Sequence, residues 1–134
     1  MENIHEKCAC QGSFLDKFLQ PAVLIVLSRG SSHGFQIITD LENSGMVTSL
    51  DPAGLYRTLK RMEETGLVSS FWDTDSSAKP KRVYSITQEG QHCLERWAVT
   101  LRDYRSSIDR LLEEIGKNSG MITDDSQSGA DFEQ

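Results

Sequence analysis

Positive charge on this chain is gathered in two short runs, "RTLKR" at residues 57–61 and "KPKR" at 79–82, neither of which contains an acid. Arg57, Lys60, Arg61, Lys79, Lys81 and Arg82 are six of the 14 basic residues of a 134-residue chain with a formal net charge of −6. Guanidinium and ammonium groups collected without intervening carboxylates suit one chemistry above others, the neutralisation of phosphates along a nucleic acid. The whole-chain balance gives no such hint; the distribution does. A second set is His5, Cys8 and Cys10, spaced H-x-x-C-x-C. Imidazole and thiolate bind zinc or softer metals, but zinc takes four ligands and this segment offers three. His92 and Cys93 are able to complete such a site across the fold. The same thiols suit a redox switch or are plain reduced cysteines, and the spacing leaves all three readings open. Three cysteines cannot all pair within one chain, so no disulfide framework is read. No catalytic constellation is present. There is no Gly-rich phosphate loop before a helix, the pair Glu113-Glu114 lies on a solvated helix, and nothing gathers Ser, His and Asp. Neither an enzyme nor a resident cofactor is expected.

These residues need elements to position them. The length suggests one globular domain, and 37% apolar residues suffice for a modest core. The longest apolar run, "AVLIVL" at 22–27, is far short of the roughly 20 residues that span a bilayer. The N-terminal residues lack the apolar stretch of a signal peptide, so a cytoplasmic protein without membrane contact is expected. Residues 1–12 read as a flexible arm. From Ser13 apolar positions thicken through Phe14, Leu15, Phe18 and Leu19 into a helix with Pro21 in its first turn, ended by Arg29-Gly30. Ser31-Ser32 suits the cap of a second helix carrying Phe35, Ile37, Ile38 and Leu41, with Gly45 as its stop. His33 beside Gly34 is read as capping or packing that helix. Asp51 and Pro52 open a third helix, in which Leu55, Leu59 and Met62 fall on one face. Opposite them lie Ala53, Arg57, Lys60 and Glu64, with Tyr56 and Arg61 flanking.

"LVSSFW" and "RVYSIT" then read as the two strands of a hairpin joined by "DTDSSAKP", and Lys79 with the following Lys81 and Arg82 adds a basic run at the loop. Thr87 caps a last helix with Leu94, Trp97, Leu101, Tyr104, Ile108, Leu111 and Ile115 at alternating steps of three and four, an a/d heptad seam. Gly116 is read as its end and 117–134 as a disordered acidic tail. The expected fold is mainly α with a small β-hairpin, a winged helix-turn-helix over 13–87 and a long dimerisation helix over 88–116. A polar front on an amphipathic helix needs no special function; a basic helix and a basic hairpin loop in this order point to duplex DNA, the alternative being a winged-helix protein–protein interaction module that turns the same basic front to an acidic partner. Trp72 and Trp97 are read as core residues, Trp97 being also at the seam.

Three segments, "HGFQI" (33–37), "GLYRTLKRMEETGLV" (54–68) and "KRVYSITQEG" (81–90), together resemble the PadR family of transcriptional regulators. Phe35 stands where the family more often has Tyr, and Arg57 where many members have Pro. The resemblance implies a homodimeric repressor in which recognition helix and wing read half of a palindromic operator and a small molecule releases the DNA. Tyr56, Arg57, Lys60 and Arg61 are then groove and phosphate contacts, with Lys79 and Lys81 at the wing tip. It also implies a small aromatic effector between two copies of Trp97, since an a/d layer meets itself across a two-fold axis and multidrug-sensing members hold flat compounds in this manner.

Overall fold

The computed structural model describes residues 17–47, 50–75 and 79–119. Helix α1 (Leu19–Ser28) leads to a short strand β1 (Ser32–His33) and helix α2 (Gly34–Ser44). Helix α3 (Pro52–Glu64), strands β2 (Val68–Asp73) and β3 (Lys81–Ile86), and the long helix α4 (Gln88–Ser119) follow. The sheet is antiparallel in the order β1-β3-β2, with Ser32 opposite Tyr84 and Val68 opposite Ile86. This is the winged-helix arrangement expected from the sequence, mostly helical with a small sheet and a long C-terminal helix.

The core forms where the apolar stripes of three helices meet. Helix α1 supplies Val23, Leu24 and Leu27, and α2 supplies Ile37 and Leu41, all almost fully buried. Helix α3 turns Leu55, Leu59 and Met62 inward, its i, i+4, i+7 face. Val68 and Tyr84 close the core from one face of the sheet. The Asp51 carboxylate accepts from Gly54 N–H at 3.2 Å, satisfying a first-turn donor of α3, and Pro52 begins the helix where its missing N–H costs nothing. The winged-helix unit extends to Glu95, so the first turns of α4 belong to it; from Arg96 onward α4 forms a second unit.

Several expectations are corrected. Ser31 and Ser32 do not cap α2. Ser32 and His33 pair with β3 as a third strand, Ser31 Oγ meets Ser85 Oγ at 2.6 Å, and the N-cap of α2 is His33, without a side-chain cap bond. A backbone ladder has taken the place of the capping hydroxyls. Gly116 does not end α4, which runs on to Ser119, so residues 117–119 are helical rather than tail. One glycine costs a helix only about 1 kcal/mol, and here the flanking turns are laced by Arg110 to Glu113 and Glu114 and by Lys117 to Glu114. Trp72 is not a core residue but 60% exposed, and Phe35, on the apolar side expected of α2, is 71% exposed. The assignments of the N-terminal arm, including Phe14, Leu15, His5, Cys8 and Cys10, and of the tail from 120 onward lie outside the described residues.

Candidate nucleic-acid interface

Helix α3 presents its basic residues as the wheel expects. Arg57, Lys60 and Arg61 are exposed, opposite the buried Leu55, Leu59 and Met62. Arg57 reaches Asp51 only loosely, at 3.9 Å with both side chains more than two-thirds exposed, so this pair restrains the guanidinium little. Lys79 and Lys81 are exposed at the outer end of the wing.

Arg82 differs from the other five. Its Nε donates to Ser70 Oγ at 2.9 Å and its Nη2 to Glu63 Oε1 at 3.2 Å, while Ser70 Oγ donates to Glu63 Oε2 at 2.9 Å. Glu63 sits near the end of α3, Ser70 in β2 and Arg82 in β3, so one closed network joins the basic helix to both strands of the wing. The guanidinium also lies 5.8 Å from the Trp72 ring centre and 5.9 Å from that of Tyr84, cation–π distances on both. Burial pushes the Tyr84 phenol above its ordinary range, with the Arg82 charge working against the shift. Trp72 is exposed because it lies opposite Arg82 towards the outer end of the hairpin, past the last core residue of either strand.

Between α3 and the wing lies an open groove of about 540 Å³. Tyr56 lines it from α3, Phe35 from the start of α2, and Trp72, Lys81 and Arg82 from the wing. The Tyr56 ring rests on Gly34: a Cβ built there would collide with the Tyr56 hydroxyl and lie 2.6 Å from its Cε1. Gly34, the first residue of α2, is thus a seat for an aromatic side chain of α3.

The exit of the wing has an equally local explanation. Thr87 Oγ1 accepts from Gly90 N–H at 3.0 Å and contacts the carbonyls of Gly66 and Leu67, tying the start of α4 to the turn between α3 and β2. A Cβ at Gly90 would run into the Leu67 carbonyl. On α4, Leu94, Trp97 and Leu101 are half-buried, whereas Tyr104, Ile108, Leu111 and Ile115 are exposed. Among the described residues, no group of three His, Cys, Asp or Glu side chains could hold a metal. Cys93 instead faces Gln20 Oε1 at 3.8 Å. No helix among them is long and apolar enough to cross a membrane.

Sequence reasoning found the basic residues from their types and spacing. It missed Glu63 and the exposure of Phe35 and Trp72. The signal for their exposure was faint: Phe35 lies within the "HGFQI" segment and Trp72 four residues past "GLYRTLKRMEETGLV", and side-chain type alone does not separate a core ring from an exposed one.

Comparisons with known proteins follow this geometry. Residues 23–96 match the model of the transcriptional regulator PadR-like family. Similar solved structures include a PadR family transcription regulator from Clostridium difficile R20291 (23% identity, 71% of this chain and 98% of that one, TM-score 0.64). A PadR-like transcriptional regulator from Bacillus cereus gives 23% identity over 75% of this chain and 96% of that one, with the same TM-score of 0.64. The circadian clock associated protein Pex from Anabaena is 25% identical, covering 70% of this chain and 83% of that one, at a TM-score of 0.55. A search of curated proteins gives no match. The family model spans more than half of the sequence, its regulators are non-enzymatic DNA-binding proteins, and the chain belongs to the PadR-like family of transcriptional regulators.

Proposed function

We propose that this DNA-binding regulator acts as a homodimeric repressor. In this reading α3 enters the major groove and the wing reaches the neighbouring minor groove, the docking expected of a winged helix-turn-helix. The observation that carries it is the charge of one groove and its two walls. Arg57, Lys60 and Arg61 stand exposed on α3, Lys79 and Lys81 on the wing, and Tyr56 and Lys81 line the groove between. Two such units joined by the apolar seam of α4 would read two half-sites related by a two-fold axis. An effector that wedges the seam, where Trp97 offers a flat side chain, would change the spacing of the half-sites and release the DNA.

Selection of bound duplexes from a random pool tests the reading. An enriched palindrome is the expected result, and affinity should fall steeply as salt rises, because displaced counterions drive the association. A chain that leaves every duplex unbound at low salt would overturn it. Titration with planar aromatic compounds tests the effector. Trp97→Phe should remove the fluorescence quenching that Trp72→Phe retains, and equal quenching in both variants would remove the seam slot.

A further inference from the structure

When a helix occupies the major groove and a wing the adjoining minor groove, one sugar–phosphate strand must pass between them, since that strand is what separates the two grooves of a duplex. In this protein the space between α3 and the wing is the aromatic groove. We infer that this groove seats that strand, and that Phe35 and Trp72 are DNA-contact residues packing against its deoxyribose rings. The inference rests on the docking proposed above.

The chemistry of the walls fits a sugar–phosphate strand. A phosphodiester needs donors and positive charge, and two of the residues lining the groove, Tyr56 and Lys81, carry a hydroxyl and an ammonium able to supply them. The Arg82 guanidinium is engaged with Glu63 and Ser70, so it serves as framework. A deoxyribose presents C–H groups, and Phe35 and Trp72 supply the apolar surface to cover them. Phe35, at 71% exposure, and Trp72, at 60%, are far more open than rings of this size normally remain without something to cover them. Arg82 lies at cation–π distance from the Trp72 ring, which favours the orientation that faces the groove before DNA arrives. A ring with a favoured orientation loses less rotamer freedom on binding. The groove is also continuous with the basic front of α3 through Tyr56, whose neighbour in sequence is Arg57.

Contacts to sugar differ from contacts to phosphate or bases in what they do to binding. They carry no sequence information and release no counterions, so their loss should lower affinity for every duplex without changing the salt slope. The test is binding of the full chain at several salt concentrations to a random-sequence duplex and to the selected operator, comparing wild type with Phe35→Ala, Trp72→Ala and Lys60→Ala. Each aromatic variant should bind both duplexes about tenfold more weakly, the effect of uncovering part of one aromatic side chain, with an unchanged slope. Lys60→Ala should flatten the slope. Adding duplex should change the fluorescence of wild type, and Trp72→Phe should remove most of that change. Thermal melting of the variants separates lost contact from lost fold, and Trp72→Phe keeps a ring beside Arg82 should Trp72→Ala melt early. If wild type binds duplex, Phe35→Ala and Trp72→Ala match it in affinity and Trp72→Phe keeps the full fluorescence change, the seat is overturned while the docking stands. If wild type binds no duplex at low salt, the docking is overturned and the seat with it.

Discussion

Gly34 and Tyr56 show why a short family motif takes the form it does. The backbone at Gly34 lies against the Tyr56 ring, with no room for a methyl group between them. Gly34→Ala should therefore push the ring aside and destabilise the domain by about 1–3 kcal/mol, the usual cost of overpacking. In a Tyr56→Ala background the same change should become nearly neutral, since Gly34 is the first residue of α2 and alanine suits a helix. Thermal melting of the four members of this cycle checks it; equal costs in both backgrounds would remove the seat. Arg82 makes a different argument. Lysine has no fork to serve Ser70 and Glu63 together, so Arg82→Lys should lose nearly as much stability as Arg82→Ala. The network is part-exposed, with Arg82 at 45% and Glu63 at 32% side-chain exposure, which limits the loss to about 1 kcal/mol. Lys79→Ala and Lys81→Ala, at exposed positions, should leave melting unchanged and lower the salt slope of DNA binding by about one phosphate each. Their types and places were legible in sequence. The partners of Arg82 were not, because Glu63 lies 19 residues away and meets it only after the wing folds back along α3.

At the scale of elements, local signals succeeded where they were dense. Helix α3 was legible because an Asp-Pro start, an apolar face and a following glycine agree over a few residues, and Asp51→Ala should cost about 1 kcal/mol by removing the acceptor of Gly54 N–H. Strand β1 was not legible. Two residues, Ser and His, carry no strand pattern of their own, and they become a strand only because Val83 and Tyr84 of β3 offer an edge some 50 residues later. The end of α4 failed for the opposite reason: a strong local signal, Gly116, was outweighed by ion pairs on adjacent turns. Gly116→Ala is accordingly expected to stabilise the helix, by about 0.5–1 kcal/mol. A circular dichroism melt that falls with this substitution would mean that residue 116 needs glycine for a reason the helix does not supply.

For the whole molecule, an acidic chain binding a polyanion is consistent once charge is mapped rather than summed. Six of the 14 basic residues stand on α3 and the wing, in two runs free of acids, although Glu63 and Glu64 on α3 and Asp73 on the wing lie near them. The seam of α4 is the remaining question of scale. Tyr104, Ile108, Leu111 and Ile115 repeat at steps of three and four along one stripe, with Ile108 44% and Leu111 62% exposed in the single chain. A contiguous apolar stripe of this kind is seldom left to water, and an a/d pattern suits a second copy of the same helix. Burying one such side chain contributes about 1.5–3 kcal/mol, so several layers offset the entropy of association. Light scattering at micromolar concentration should give a dimer for the wild type. Leu101→Asp with Ile108→Asp should give a monomer, because each aspartate would bury a charge within the apolar seam. That monomer keeps an intact winged-helix unit, so its binding to a random duplex at low salt should be near that of one wild-type half. Its operator affinity should fall by about 10²–10⁴, the advantage lost when two linked half-sites become one. A wild-type monomer in solution, or a double variant that binds its operator undiminished, would show that the stripe does not join two recognition units.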